Sequence, residues 1–410
     1  MNQETSKTKS LKFFGIGKVL PYLKKYKKAM FGLVAGSLVG SLVDTGVPLF
    51  QRYALNHFIG EGTLDTLLWF VLLYLLLICG GAVVSYFATM CSMSVEVGVD
   101  RDLRNRAFSH LQTLSFSYYN QNSVGYIHSR IMSDTQRIGG LVSWTLLDSL
   151  WQGGYVVGAV AVMLIIDLKL ALLVIAVLPL TILLFSLFQH KLTKANREIR
   201  ELNSQITGNF NEGITGARTI KTLVIEDKME KSFMTDTASM RRKSVGAARL
   251  RGFFAVTMNF ASSLALAVVL WKGGVIAKTQ IGTFSMFMSY AQGMMEPVRW
   301  LVDAISDLIT TQVNIERLSR LLETEPDVKD SAEVIERYGD SFEPKRENWE
   351  ELRGDIRFED VSFRYPDGDE KILEHFDLDI PFGTNVAIVG ETGAGKSTLA
   401  NLICRFYEPT

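Results

Sequence analysis

Six stretches in the first three-quarters of the sequence are each long and apolar enough to fill the hydrocarbon core of a bilayer, and this constrains the fold more than any other feature. Inside lipid every backbone N–H and C=O must find a partner within the chain, so such stretches cross as helices. Residues 29–50, at about 1.5 Å per residue, reach about 33 Å, enough for a core of about 30 Å. Residues 64–90 are more apolar still, with the run from Leu67 to Ile78 almost unbroken. Residues 141–166 and 168–189 form a pair joined only by Asp167-Leu168-Lys169, and 253–271 and 281–305 form another, joined by Lys272 to Gln280. The sixth is the weakest, because Glu296, Arg299 and Asp303 interrupt it. The expected fold class is therefore an α-helical membrane protein with six spans.

The connections alternate in kind. Those after the first, third and fifth spans are short. Those after the second and fourth are long and basic, with Arg101, Arg104, Arg106, Arg130 and Arg137 in one and Lys191, Lys194, Arg197, Arg200, Arg218, Lys221, Arg241, Arg242, Lys243 and Arg249 in the other. The excess of Lys and Arg puts both loops and both termini in the cytoplasm. Residues 95–114 and 191–210 carry polar side chains all round, with apolar ones at spacings of three and four, so the spans are expected to continue as helices beyond the bilayer. Turns then fall at Ser117 to Gly125 and at Asn211 to Arg218, where asparagine and glycine come together. Residues 1–28 are rich in Lys, with Leu11, Phe13, Phe14, Val19, Leu20 and Tyr22 among them. That pattern suits a cytoplasmic anchor or an amphipathic helix lying on the membrane surface. It lacks the apolar core and cleavage site of a secretory signal. The formal net charge of +0 hides the uneven distribution, and no nucleic-acid partner is expected. Cys79, Cys91 and Cys404 are too scattered for a disulfide framework or metal site.

Residues 29–325 thus read as a transmembrane domain with two cytoplasmic hairpins. An amphipathic run over 309–322 leaves it, with Ile315, Leu318, Leu321 and Leu322 on one face, and Glu323-Thr324-Glu325-Pro326 ends that run. Residues 326–353 are charged and apolar-poor, so they read as a linker. From 354 the pattern changes. Ile356, Phe358, Val361, Phe363 and Tyr365 look like strand, Pro366-Asp367-Gly368-Asp369 like a turn, and 372–380 like a second strand. Gly390-Glu391-Thr392-Gly393-Ala394-Gly395-Lys396-Ser397 then fits G-x-x-x-x-G-K-[ST], the phosphate-binding loop. Asn385 to Val389 before it reads as a buried strand, and Thr398 to Cys404 after it as a helix. Gly393 and Gly395 let successive N–H groups converge at a helix N-terminus with partial positive charge. Lys396 can reach the β- and γ-phosphates of ATP, and the Ser397 hydroxyl can ligate Mg²⁺. Residues 354–410 are therefore the beginning of an α/β nucleotide-binding domain, with residues 390–398 as its phosphate site.

Ionisable residues inside spans are costly, at least about 2.5 kcal/mol at the bilayer centre, and so tend to face a bundle interior, a cavity or each other. Asp44 and Glu296 are candidates for a pathway taking cationic or amphiphilic solutes. Asp148 is a weaker one. The alternatives are a place near the interface for Asp44 and an i,i+3 pair between Glu296 and Arg299, which is the reading favoured for Arg299. Pro179 and Pro297 are expected to bend the fourth and sixth helices.

Taken together, these features resemble an ABC exporter half-transporter over nearly the whole chain. Ser115-Phe116-Ser117-Tyr118-Tyr119 with Gly125, Ser129-Arg130 and Asp134 is similar to that family's first intracellular loop, and Glu212 to Lys221 with Glu226 to its second. Arg317-Leu318 through Glu325-Pro326 resembles the exit from its sixth span. Phe358-Glu359-Asp360-Val361-Ser362-Phe363-Arg364-Tyr365-Pro366 resembles the start of its nucleotide-binding domain. The resemblance implies that Tyr365 stacks on adenine. It also implies that the hairpin tips, with Tyr118, Tyr119 and Glu212, are coupling helices that dock on nucleotide-binding domains. By the same resemblance the chain works as a homo- or heterodimer in the cytoplasmic membrane, moving a hydrophobic or amphiphilic substrate. The family's domain continues past the phosphate loop with a glutamine that senses Mg²⁺, a signature loop, a catalytic glutamate and a switch histidine, and none of these lies within the sequence up to Thr410. Residues 1–410 alone are accordingly expected to bind ATP weakly or not at all and not to hydrolyse it. The resemblance thus implies an ATP-driven exporter subunit working by alternating access, and the alternative is a truncated, non-catalytic membrane protein that dimerises or binds lipid without ATP turnover. Nothing resembles an N-terminal protease domain, which disfavours the peptidase-bearing peptide exporters.

Overall fold

Long helices dominate the chain because the apolar runs continue without a breaker into polar sequence of high helix propensity. The computed structural model describes residues 15–273, 280–366, 368 and 370–409. The predicted basic and apolar positions before residue 15, most of the 272–280 connection, and Asp367 and Asp369 of the predicted turn lie outside them. The helices are α1 (Ile16–Leu23), α2 (Lys27–Ala54), α3 (Leu67–Thr113), α4 (Phe116–Gln121), α5 (Val124–Ser129), α6 (Thr135–Gly140), α7 (Leu146–Ile166), α8 (Leu168–Thr215), α9 (Ala217–Leu223), α10 (Glu226–Gly273), α11 (Ile281–Gly293), α12 (Met295–Glu323), α13 (Ala332–Tyr338) and α14 (Lys396–Ile403). Two strands, β1 (Ile356–Arg364) and β2 (Lys371–Ile380), lie between α13 and α14.

Five helical stretches among the described residues are long and apolar enough to cross a membrane: Gly17–Gly60, Leu67–Thr113, Val124–Ile166, Leu168–Thr215 and Glu226–Trp271. The sixth predicted span, 281–305, is not one straight rod and is not among these five. It divides at Met294 into α11 and α12. Pro297 is the cause: its ring crowds the carbonyl four residues back, at Gly293, and it has no N–H to continue the ladder. Pro179, by contrast, lies inside α8 without ending it.

The chain forms two compact units. One comprises Lys28–Ser92 and Trp144–Asp307. Its core gathers Ala159, Met163, Ala171, Val174, Ala265, Val269, Met286, Phe287, Tyr290 and Ala291, all fully buried, from α7, α8, α10 and α11. Small residues let α2 and α7 approach closely. A Cβ at Gly154 would sit 2.4 Å from Ser41 Oγ, and one at Gly158 would sit 2.7 Å from Thr45 Oγ1. This is small-xxx-small packing on both helices, which substitutes close dispersion contact for the hydrophobic drive that lipid removes. Tyr290 donates its hydroxyl to the Thr45 carbonyl at 2.6 Å, pinning α11 to the same helix. The polar halves of α8 and α10 run side by side, held by Lys243–Glu198 at 2.6 Å and by Asn209 donating to Asp236 at 2.7 Å.

The other unit comprises Met1–Lys27, Met93–Ser143 and Leu308–Thr410. Here α3 shows why a helix with polar sequence all round still packs: Val95, Val99, Leu103, Ala107 and Leu111 recur every four residues and are all buried. That stripe lies with Val19, Ile138, Ile315 and Leu318, which are also buried. Asp102 receives hydrogen bonds from Lys25 Nζ and Tyr26 Oη, both at 2.9 Å. The region predicted as linker is not wholly irregular. Ser331 caps α13 by accepting from the Val334 N–H, Glu333 and Arg337 complement the two ends of its dipole, and Gly339 at φ 78° ends it. β1 and β2 pair antiparallel, Ile356 opposite Ile380 and Phe363 opposite Leu373, with irregular register at Asp360 and His375, both at positive φ.

Candidate functional site

The phosphate loop has the backbone its sequence requires. Gly393 and Gly395 take φ of 93° and 81°, the left-handed region that a side chain disfavours. Gly395 is the N-cap of α14, and no side chain caps that end. A Cβ at Gly395 would meet Ile372 Cγ2 at 3.1 Å, so the loop is also pressed close to β2. Lys396 turns back over the loop and donates to the carbonyls of Gly390 at 2.8 Å and Glu391 at 2.6 Å. Its ammonium therefore lies beside the main chain that would surround a polyphosphate. Ser397 is exposed, whereas Thr398 and Leu399 are buried. An uncapped helix N-terminus, two glycines at positive φ and a lysine on the loop fit a nucleotide's phosphates with Mg²⁺. Glu391, Thr392 and Ala394 complete the loop as exposed positions.

Tyr365 is brought to this loop although 25 residues separate it from Gly390 in sequence. Its hydroxyl is 3.0 Å from Thr398 Oγ1. Its ring is held edge-on by Phe363, at a centroid distance of 5.0 Å, and by Tyr407, at 5.2 Å. One predicted element is missing. Residues 385–389 form no strand, and Val386, Ile388 and Val389 are 52%, 42% and 91% exposed. A central parallel strand needs hydrogen-bonded neighbours, and among the described residues the sheet is only the β1–β2 pair.

The first hairpin tip is built from two short helices. α4 and α5 are separated by extended Asn122, and Ser123 caps α5 by accepting from the Tyr126 N–H at 3.3 Å. Tyr118 and Tyr119 meet edge to face at 5.9 Å, and Tyr119 donates its hydroxyl to the Leu111 carbonyl at 2.6 Å, so this ring closes the hairpin on itself. Burial pushes both phenols above their ordinary range. Arg130 and Asp134 form a buried pair at 2.7 Å, and the Arg130 guanidinium lies 4.3 Å over the Tyr126 ring. The residues that reach the end of the chain are others. Phe116 stacks on Phe406 at 5.1 Å, and Asn120 donates to Tyr407 Oη at 2.6 Å. The sequence placed Phe116 in the loop motif and Asn120 in the turn, but assigned neither a partner. Their i,i+4 spacing on one helix face was the available signal.

The second tip departs from its predicted turn. Residues 211–215 continue α8, and the break comes at Gly216, whose N–H bonds the Glu212 carbonyl at 2.8 Å. No breaker stands between Gly213 and Gly216 strong enough to end a 48-residue helix sooner. The Glu212 side chain is exposed and lines a cavity of about 450 Å³ with Phe210, Ile214, Met229 and Phe233.

Among the span residues, Asp44 accepts a hydrogen bond from Trp151 Nε1 at 2.7 Å. Glu296 pairs with Arg299 at 2.5 Å, the i,i+3 contact predicted for Arg299. Both line a cavity of about 610 Å³ with Gln189, Arg251, Phe254 and Asp303. Asp148 lies in the first turn of α7.

Comparison with known proteins bears on the family. Residues 373–410 match the ABC transporter family, the segment that holds the loop. An ATP-dependent lipid A-core flippase of Mannheimia succiniciproducens is 24% identical over 95% of this chain and 65% of its own length. The flippase of Haemophilus influenzae is 25% identical over 95% and 64%. An ABC transporter ATP-binding protein of Bacillus subtilis is 25% identical over 95% and 61%. The chain spans 61% to 67% of the length of such relatives. Residues 30–298, more than half of the chain, match the ABC transporter transmembrane region, and the chain belongs to that family of multi-pass membrane proteins.

Proposed function

We propose that the chain is one subunit of a dimeric, ATP-driven exporter of the cytoplasmic membrane, moving a hydrophobic or amphiphilic solute (drug, lipid or peptide) by alternating access. The observation that carries this reading is the convergence of Tyr365, Thr398 and the glycine loop at the start of α14. Tyr365 offers a flat apolar face to a base. The N–H groups at the start of α14 and Lys396 would hold the phosphates, and Ser397 would hold Mg²⁺. ATP supplies binding energy to the closed pair of domains and hydrolysis energy to reopen them. Glu391 and Thr392 keep the loop in water until a second surface covers it. In this reading both hairpin tips and both termini are cytoplasmic. Glu212 and the apolar residues around it form a docking surface for the partner, and Asp44 and Glu296 border the solute pathway.

Hydrolysis needs a water-orienting carboxylate and donors that close over the γ-phosphate. Residues 390–398 provide the cradle and one metal ligand, so this reading assigns the remaining groups to sequence outside residues 1–410 and to the partner subunit. The test compares purified residues 1–410 with a full-length exporter carrying them. Steady turnover by the longer protein, abolished for the most part by Lys396→Ala and absent from residues 1–410 alone, is the expected result. Turnover unaffected by Lys396→Ala would overturn it. A second reading, a membrane protein that dimerises or binds lipid without turnover, is favoured by the exposure of Val386, Ile388 and Val389. It would stand if nucleotide neither bound nor was hydrolysed in any form of the protein.

A further inference from the structure

Tyr407 is 6% exposed, while its neighbour Phe406 is 43% exposed. Its ring meets Tyr365 edge-on at 5.2 Å with an interplanar angle of 90°, and Phe363 at 5.6 Å. Its hydroxyl accepts the Asn120 Nδ2 hydrogen bond at 2.6 Å. One side chain thus touches both the first hairpin tip and the ring assigned to the base. The ground on either side is fixed by a short piece of chain, Asp327 to Asp330. The Asp327 N–H donates to Ser115 Oγ at 3.1 Å, and the Asp327 carboxylate accepts from Ser117 Oγ. The Arg405 guanidinium donates to Asp330 at 2.7 Å and to the Lys329 carbonyl at 3.0 Å. So α4 and residues 405–408 are both tied to one strap, and a six-residue helix has too few turns to set its own orientation. Between tip and nucleotide site lies the aromatic contact of Tyr407 with Tyr365.

We propose that Tyr407 is a positioning residue through which the first hairpin tip senses the nucleobase, by way of Tyr365, rather than the phosphates. A base stacked on Tyr365 fixes that ring's tilt. An edge-to-face contact depends on tilt, so Tyr407 is fixed with it, and the Asn120 hydrogen bond passes the constraint to α4. Lys396 and the glycines, which take the other end of the nucleotide, make none of these contacts; Tyr365 meets the phosphate loop through its hydroxyl, 3.0 Å from Thr398 Oγ1. The proposal rests on the exporter reading and refines it.

The test uses the dimeric exporter in lipid vesicles, with solute transported per ATP hydrolysed, KM for ATP, and the inhibition constant of inorganic tripolyphosphate as readouts. Asn120→Leu and Tyr407→Phe each remove one hydrogen bond and keep helix and ring. Each should lower transport per ATP by about two- to tenfold, the range one hydrogen bond can supply. The double variant should be no worse than either single one. Tyr407→Ala should raise KM for ATP several-fold and leave inhibition by tripolyphosphate, which has no base, at its wild-type value. General damage to the domain would move both constants. Wild-type coupling in Asn120→Leu and Tyr407→Phe, or losses that add in the double variant, would overturn the proposal. So would equal weakening of ATP and tripolyphosphate in Tyr407→Ala. Tyr365→Ala separates the two levels: if it leaves ATP affinity intact, the base-stacking assignment of the exporter reading fails, and the Tyr407 proposal with it. If Tyr365→Ala weakens ATP while Asn120→Leu couples normally, only the proposal fails.

Discussion

The two hairpin tips begin from similar sequence and end differently. Each is a polar run with asparagine and glycine between long helices. The first is covered by its own chain: Ser117 is 3% exposed, Phe116 lies on Phe406, and Asn120 bonds Tyr407. The second is bare, with Phe210, Ile214, Leu223 and Val224 at 55%, 60%, 61% and 80% exposure. Four large apolar residues grouped at a polar tip mark a surface made to be covered. The contrast teaches that the first tip is joined to its own chain, whereas the second has the chemistry of a joint to something else, which in the proposed exporter would be the partner subunit.

The largest expected effect tests whether the tips share a side of the membrane. Cysteines placed at Asn122 and Asn211 should resist an impermeant thiol reagent in intact cells, while one placed at Gly62 should label. Labelling of one tip and not the other would end the comparison. Next in size, Phe210→Asp with Ile214→Asp should lower transport per ATP by about tenfold, the cost of one or two charges in an apolar contact. The protein's melting temperature should hardly move, because both side chains are exposed in the subunit itself. A large loss of melting temperature would mean that the second tip is an internal joint as well.

Phe116→Ala should loosen the first tip by about 1–2 kcal/mol, from lost burial and ring stacking, and this should appear as faster proteolysis near residues 404–408. Unchanged proteolysis would remove the reason for calling this tip joined to its own chain. Val224 is β-branched and holds φ 55°, so Val224→Gly should stabilise the second hairpin by about 1 kcal/mol, seen as slower amide exchange around α9. The smallest effect concerns acid. Hydrogen bonds from Lys25 above all, then from Arg101 and Tyr26, hold the Asp102 carboxyl at about 2 against the burial that opposes them. The folded value is depressed, so the stabilisation is present above the unfolded value of 3.8 and is lost as pH falls toward about 2. Amide exchange near residue 102 should therefore rise between about pH 4 and 2, and Lys25→Ala should move that rise upward. Lys25 is 62% exposed, so salt should weaken the effect.

Much of the fold was legible in the residues. The apolar runs located five of the six predicted spans among the described residues, and the polar continuations of 95–114 and 191–210 correctly implied helices extending past them. The phosphate loop was legible because its chemistry is local: only glycine accepts the backbone at 393 and 395, and lysine must follow. The strand expected over 385–389 was not, since a strand is a property of its neighbours and not of its own apolar residues. The division of the sixth span at Met294 could be foreseen in kind from Pro297 but not in place.

What the sequence by itself determined is therefore what short-range physics decides: helix or strand period, turn glycines, capping by Ser123 and Ser331, and the loop that suits phosphate. Only the tertiary structure decided which tip is covered. The resemblance singled out Tyr118 and Tyr119 for docking on a nucleotide-binding domain, which stays a proposal; within this chain the structure adds Phe116 and Asn120, whose partners lie 290 and 287 positions further along, at Phe406 and Tyr407. Tyr365 likewise reaches Thr398 only because β2 returns antiparallel and presses Ile372 against Gly395. Such contacts carry no local period or motif. They exist because apolar and hydrogen-bonding groups from distant segments lose less by meeting than by staying in water, and that balance is set by the packed whole.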